Sequence, residues 1–125
     1  MTWLRLACTA IVLLASTDLG MKAARAAEVA YDLSIANGQV PENMRSIRVK
    51  QGDVVKLRWS TNRPVTVHLH GYDIEKDVKP GTVTDMTFTA RATGRFAVHL
   101  HPAAGAPAGQ AHEETPLVSI AVYPR

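Results

Sequence analysis

Ser46-Ile47-Arg48-Val49-Lys50-Gln51-Gly52-Asp53-Val54-Val55-Lys56-Leu57-Arg58-Trp59 holds two runs of alternating apolar and polar residues, separated by Gln51-Gly52-Asp53. A repeat of two sends successive side chains to opposite faces of an extended chain, so each run reads as a half-buried strand. Val55, Leu57 and Trp59 share one face of the second run. Gly and Asp between the runs mark a turn, and the pair is expected to form a hairpin.

The same period extends in both directions. Upstream, Val29, Tyr31, Leu33 and Ile35 alternate with Ala30, Asp32, Ser34 and Ala36 up to the turn pair Asn37-Gly38. Downstream, Thr61-Asn62-Arg63-Pro64 interrupts, and Val65, Val67 and Leu69 then alternate with Thr66, His68 and His70. Tyr72 to Lys76 reads as a strand with alternating charged partners, and Lys79-Pro80-Gly81 as a turn. Val83 to Ala90 is rich in Thr, with Met86 and Phe88 two apart, and Thr93-Gly94 turns into Arg95 to His101. There Phe96, Val98 and Leu100 take one face and His99 and His101 the other. Pro102 to Ala111 has a loop composition and leads to His112-Glu113-Glu114, after which Leu117 to Tyr123 forms a closing strand apolar on both faces. Seven or so short strands with turns between them and no helical period predict an all-β fold, a Greek-key β-sandwich.

The first quarter of the chain follows other rules. Met1 to Arg5 carries positive charge, Leu6 to Ser16 is apolar apart from Thr9, and Ala24-Arg25-Ala26 offers a small-x-small cleavage site. Residues 1–26 are therefore expected to be a signal peptide and 27–125 a single domain, placed in the periplasm or secreted. The apolar run is well short of the roughly 20 residues that span a bilayer, so no stable membrane anchor is expected after cleavage. Cys8, the only cysteine, lies inside that run with almost no hydrophobic stretch ahead of it, which argues against a lipidated cysteine.

Of the net charge of +3, most leaves with the signal, since Arg5, Lys22 and Arg25 go with only Asp18. The basic residues Arg45, Arg48, Lys50, Lys56, Arg58 and Arg63 alternate with apolar ones and read as a solvated face, so no nucleic acid partner is expected.

All five histidines fall at three places, His68-x-His70, His99-x-His101 and His112. Neutral imidazole is the commonest nitrogen ligand of copper and zinc, and a His-x-His pair on a strand presents both rings on one face, about 7 Å apart along the backbone. The candidate metal ligands are His70, His112, His101, His68 and His99. Glu113, Glu114 and Asp73 lie beside these histidines, but no nucleophile motif, paired carboxylates or phosphate-cradling loop accompanies them, and no enzymatic activity is expected.

Ile47-x-Val49-x-x-Gly52-Asp53-x-Val55-x-Leu57, followed by Val67-x-Leu69-His70-Gly71-Tyr72, resembles the first half of periplasmic cupredoxins and of the copper domains of cytochrome oxidase and nitrous oxide reductase. Pro80-Gly81 and Gly94-x-Phe96-x-Val98-x-Leu100 resemble the strand that leads to the ligand cysteine of those proteins, and Ile120-x-Val122 resembles their last strand. The resemblance implies a cupredoxin-like sandwich, with His70 at the first copper ligand and His112 at the second. Leu100 stands where the cysteine would be, and Thr115, Pro116 and Leu117 occupy the plausible positions of the axial Met. A blue copper site needs a thiolate, two imidazoles and a weak axial ligand, so blue-copper electron transfer is excluded, and a binuclear centre with two cysteines fails as well.

What the resemblance leaves is an all-nitrogen site of His70 and His112 with His68, His99 or His101, completed by Glu113 or water. Copper as Cu(II) suits such donors, and Zn(II) fits them too. The leading expectation is an exported copper-binding protein that stores, buffers or delivers metal. Its partners would be the ion and another periplasmic or membrane metalloprotein. The alternative is a metal-free cupredoxin-like module with a structural or partner-binding role. Leu100 should point inward with Phe96 and Val98, leaving His99 and His101 to point out of the sandwich.

Overall fold

The structure, a computed structural model, describes residues 26–102 and 116–125. The expected signal peptide thus lies outside the described residues up to Arg25, as do the loop from Ala103 and its His112, Glu113 and Glu114. Eight strands run through the described residues: β1 (Glu28–Ile35), β2 (Ser46–Lys50), β3 (Val54–Thr61), β4 (Val65–Leu69), β5 (Ile74–Val78), β6 (Thr84–Thr89), β7 (Gly94–Pro102) and β8 (Val118–Tyr123). A 3-10 turn, Glu42–Met44, follows Pro41. No helix among the described residues is long and apolar enough to cross a membrane.

The strands form two sheets, ordered β1-β3-β6 and β2-β8-β7-β4-β5. Their inner faces enclose one core in which Val55, Leu57, Trp59, Val67, Leu69, Met86, Val98 and Ile120 are fully buried. Burying each such side chain contributes about 1.5–3 kcal/mol, so the sandwich stands on its core without a disulfide among the described residues. β1 ends where expected: Asn37 and Gly38 both have positive φ, 52° and 79°, and Ala36 bridges back to Gln39. That is the twist a two-residue turn requires.

The expected hairpin of residues 46–59 does not form. β2 belongs to the five-stranded sheet, paired in parallel with β8 so that Ile47 faces Ile120, whereas β3 lies in the other sheet between β1 and β6. Alternation specifies which face of a strand is buried and leaves its neighbour open, and two strands with buried faces can equally well oppose each other across the core. The turn between them is instead a corner joining the sheets. Gly52, at φ 89°, donates its N–H to the Ala90 carbonyl at 2.8 Å, and Gln51 donates to Tyr123 at 2.7 Å. The buried Asp53 carboxylate accepts the N–H groups of Lys50 at 3.0 Å and Ala27 at 3.2 Å and pairs with the Arg125 guanidinium. The Lys50 N–H, followed by those of Ala27 and the charges of Arg125 and Lys50, outweighs burial and holds this carboxyl below its ordinary range.

β5 also begins later than the alternation predicts, at Ile74. Gly71 at φ 86° and Asp73 at φ 51° take the chain out of the ladder. Tyr72 turns inward against Phe88 and Phe96, with ring centroids 4.8 and 5.0 Å away.

Candidate metal centre

β4 and β7 are antiparallel neighbours in the middle of the five-stranded sheet, in a register that pairs Val67 with Leu100 and Leu69 with Val98. These four residues face the core. The intervening pairs, Thr66 with His101 and His68 with His99, must then face outward, because side chains alternate along both strands in step. His70 continues the series one position on, its N–H bonded to the Ala97 carbonyl at 3.0 Å. Two His-x-His motifs some thirty positions apart in sequence thus meet on one outer face. His99 and His101 point out of the sandwich as the inward placing of Leu100 requires, and His68 and His70 point out beside them.

The rings crowd together more than the backbone spacing alone dictates. His68 and His70 have centroids 4.3 Å apart, His70 and His99 4.5 Å, and His68 and His101 5.6 Å. One nitrogen from each of His68, His70 and His101 lies within 4.8 Å of the others. Donors sharing one ion at bonds of about 2.0–2.1 Å stand about 3 to 4 Å apart, so the three rings would have to close in by roughly 1 Å to meet on a single metal. His99 touches His70 but stands outside that trio. His112 lies outside the described residues, so the expected pairing of His70 with His112 is not seen here.

Electrostatics keep His70 ready to ligate. The crowded rings take water from its imidazole, and the neighbouring His68, His99 and His101 add to this, lowering its pKa from the ordinary 6.5, with Asp73 pulling weakly the other way. Its neutral, metal-binding form therefore persists to lower pH than that of a free histidine. His70 is exposed and the other two trio members are half-buried, which leaves an ion on this face open to solvent on one side.

No protein-family model and no curated protein sequence matches the chain. Solved structures do. The periplasmic domain of subunit II of cytochrome oxidase (CoxB) of Bradyrhizobium japonicum superposes with a TM-score of 0.58 at 15% identity, over 76% of this chain and 83% of that one. The fold is cupredoxin-like. A copper binding protein solved by NMR in the apo form matches with a TM-score of 0.55 at 11% identity, covering 76% of this chain and 87% of its own. The Cu-containing nitrite reductase (NirK) from Thermus scotoductus SA-01 gives 0.59 at 20% identity, over 80% of this chain and 28% of that one. This chain spans 63% of a matched heme-copper terminal oxidase chain and 42% of a multicopper oxidase.

A cupredoxin-like sandwich raises the question of a blue copper ligand set, and the residues do not fit one. Leu100, at the position that resembles the ligand cysteine, packs against the core. Met86 is fully buried and Met44 packs against the core, so neither thioether belongs to the histidine face. The donor chemistry of that face is imidazole nitrogen.

Asp73 Oδ1 lies 3.9 Å from His68 Nε2, because the turn after His70 folds the aspartate back toward β4. The turn signal was present in His70-Gly71, but which face Asp73 would join depends on Tyr72 leaving the ladder.

Proposed function

We propose that this protein is an exported, non-enzymatic copper-binding protein whose cargo is Cu(II), held on the outer face of the β4–β7 ladder by His68, His70 and His101, and that it stores, buffers or delivers the ion. The observation that carries this reading is the convergence of three imidazole nitrogens within 4.8 Å of one another from two separate motifs. Imidazole donors without sulfur favour Cu(II) over Cu(I), and among divalent ions the ordinary order of affinities places copper above zinc. The likeness of the fold to copper proteins supports the choice of metal. Residues 27–125 hold no cysteine, so a domain freed of the expected signal has no thiolate for a blue site, which argues for a role in handling the ion over electron transfer. The periplasm, or the outside of the cell, fits the export signal expected of residues 1–26.

Titration of the purified chain with Cu(II), against a competing chelator of known affinity, tests the reading. One ion per chain is expected, with affinity lowered at least about a hundredfold in both His70→Ala and His101→Ala. Because imidazole must lose its proton to bind, log affinity should fall with a slope steeper than one per pH unit well below pH 6. Absence of binding, or a slope no greater than one that both variants leave unchanged, would favour the metal-free module instead.

A further inference from the structure

We propose that Asp73 is the fourth, anionic donor of this site, so that a bound Cu(II) meets three imidazole nitrogens and one carboxylate oxygen. The inference rests on the metal-binding reading above and adds to it a ligand outside the histidine motifs.

Three observations converge on this residue. The first is reach: Asp73 Oδ1 stands 3.9 Å from His68 Nε2, and although it lies outside the trio whose nitrogens are within 4.8 Å of one another, its fully exposed side chain is free to swing onto an ion held there. The second is construction. A Cβ on Gly71 would come within 2.7 Å of the Phe96 ring, so the turn is pressed onto the end of the core, and Tyr72 is held there by Phe88 and Phe96 with the Arg91 guanidinium 5.8 Å above it. With its neighbours anchored inward, Asp73 adopts φ 51°, a conformation aspartate tolerates better than most residues, and its fully exposed side chain is presented on the histidine side. The third is charge. Three neutral imidazoles leave the full double charge of the ion uncompensated, and a carboxylate in the fourth position halves it.

The other polar groups on this face are placed differently. Asp77, farther along β5, accepts a hydrogen bond from Thr66 Oγ1 at 2.7 Å. Glu75 stands across from His68 on β5, and His99 stands across from it on β7. Glu75 and His99 are the rival donors for the fourth position and define the controls. Mixed nitrogen and oxygen donors are a set that Cu(II) accepts readily.

The test is Cu(II) titration combined with electron paramagnetic resonance on the full chain. Asp73→Asn keeps the shape and the tolerance for positive φ and removes only the charge, so its far-UV circular dichroism should match the parent. Its Cu(II) affinity should fall about 10- to 100-fold, while Glu75→Gln and His99→Ala stay within about threefold. The unaltered chain should show coupling to three nitrogens. Tight binding that Asp73→Asn leaves unchanged, a loss that follows Glu75→Gln or His99→Ala instead, or coupling to four nitrogens would overturn the Asp73 assignment and leave the histidine site standing. Failure of the unaltered chain to bind Cu(II) would overturn both.

Discussion

The two faces of the β4–β7 ladder are built from the same two strands and differ in every respect that matters. Inward, Val67, Leu69 and Val98 are fully buried and Leu100 packs against them; outward, His68, His70, His99 and His101 gather in a cluster that water reaches. Alternation makes the two faces independent, since a change at one position leaves the side chains on the opposite face in place. The inner face decides whether the ladder exists, and the outer face decides what it can hold.

The largest effect that follows is on the inner face. Leu69→Ala should cost about 2–5 kcal/mol through lost burial and the cavity left behind, read as a drop in denaturation midpoint with little change in slope. Cu(II) affinity measured where the variant remains folded should stay close to that of the parent. A stability loss below about 1 kcal/mol would mean that the inner face is not the load carrier described here.

A smaller cost is expected at the corner between the sheets. Asp53→Asn removes the charge that receives two backbone N–H groups and Arg125, and should destabilise by about 1–3 kcal/mol without altering metal affinity. Asp53 is held below its ordinary 3.8, so the unfolded chain binds its proton more readily than the folded one. Its stabilisation is complete above that value and drains away as pH falls through it toward the depressed folded value. In Asp53→Asn that part of the acid limb should flatten.

The smallest effect separates the outer face from both. In metal-free protein, His70 is held below 6.5, so between that value and its lower folded pKa the unfolded state again binds more protons. Its contribution is whole above pH 6.5 and diminishes on acidification below it. His70→Ala should therefore leave the melting temperature at pH 7.5 nearly unchanged yet lessen its decline between pH 6.5 and 5. An identical decline in parent and variant would show that the crowding of the four rings carries no energetic weight.

How far such a site can be read from sequence depends on which residues are considered. The outward direction of His99 and His101 follows from the inward need of Phe96, Val98 and Leu100, and the sandwich class follows from the same alternation. Pairing is another matter. Nothing in residues 46–59 distinguishes a hairpin from two strands facing each other across a core, and the choice was made by β8 and β1, which offer neighbours elsewhere. The gathering of His68 with His101 likewise depends on the register of β4 against β7, a long-range fact that local periodicity does not contain. The sequence reads Asp73 as a charged residue on a strand, whereas its approach to His68 arises from Tyr72 being drawn out of line by two distant phenylalanines.

The order β2-β8-β7-β4-β5 also governs when the sheet can be completed. β8 sits between β7 and β2, so β2, made some seventy residues earlier, has no partner in its sheet until Val118–Tyr123 has been synthesised. Every contact of β2 with that sheet is thus of long sequence separation, the kind that slows folding most. A nascent chain of this topology cannot complete its five-stranded sheet until β8 has been made, so β2 must wait with its ladder open while β3 to β7 are added.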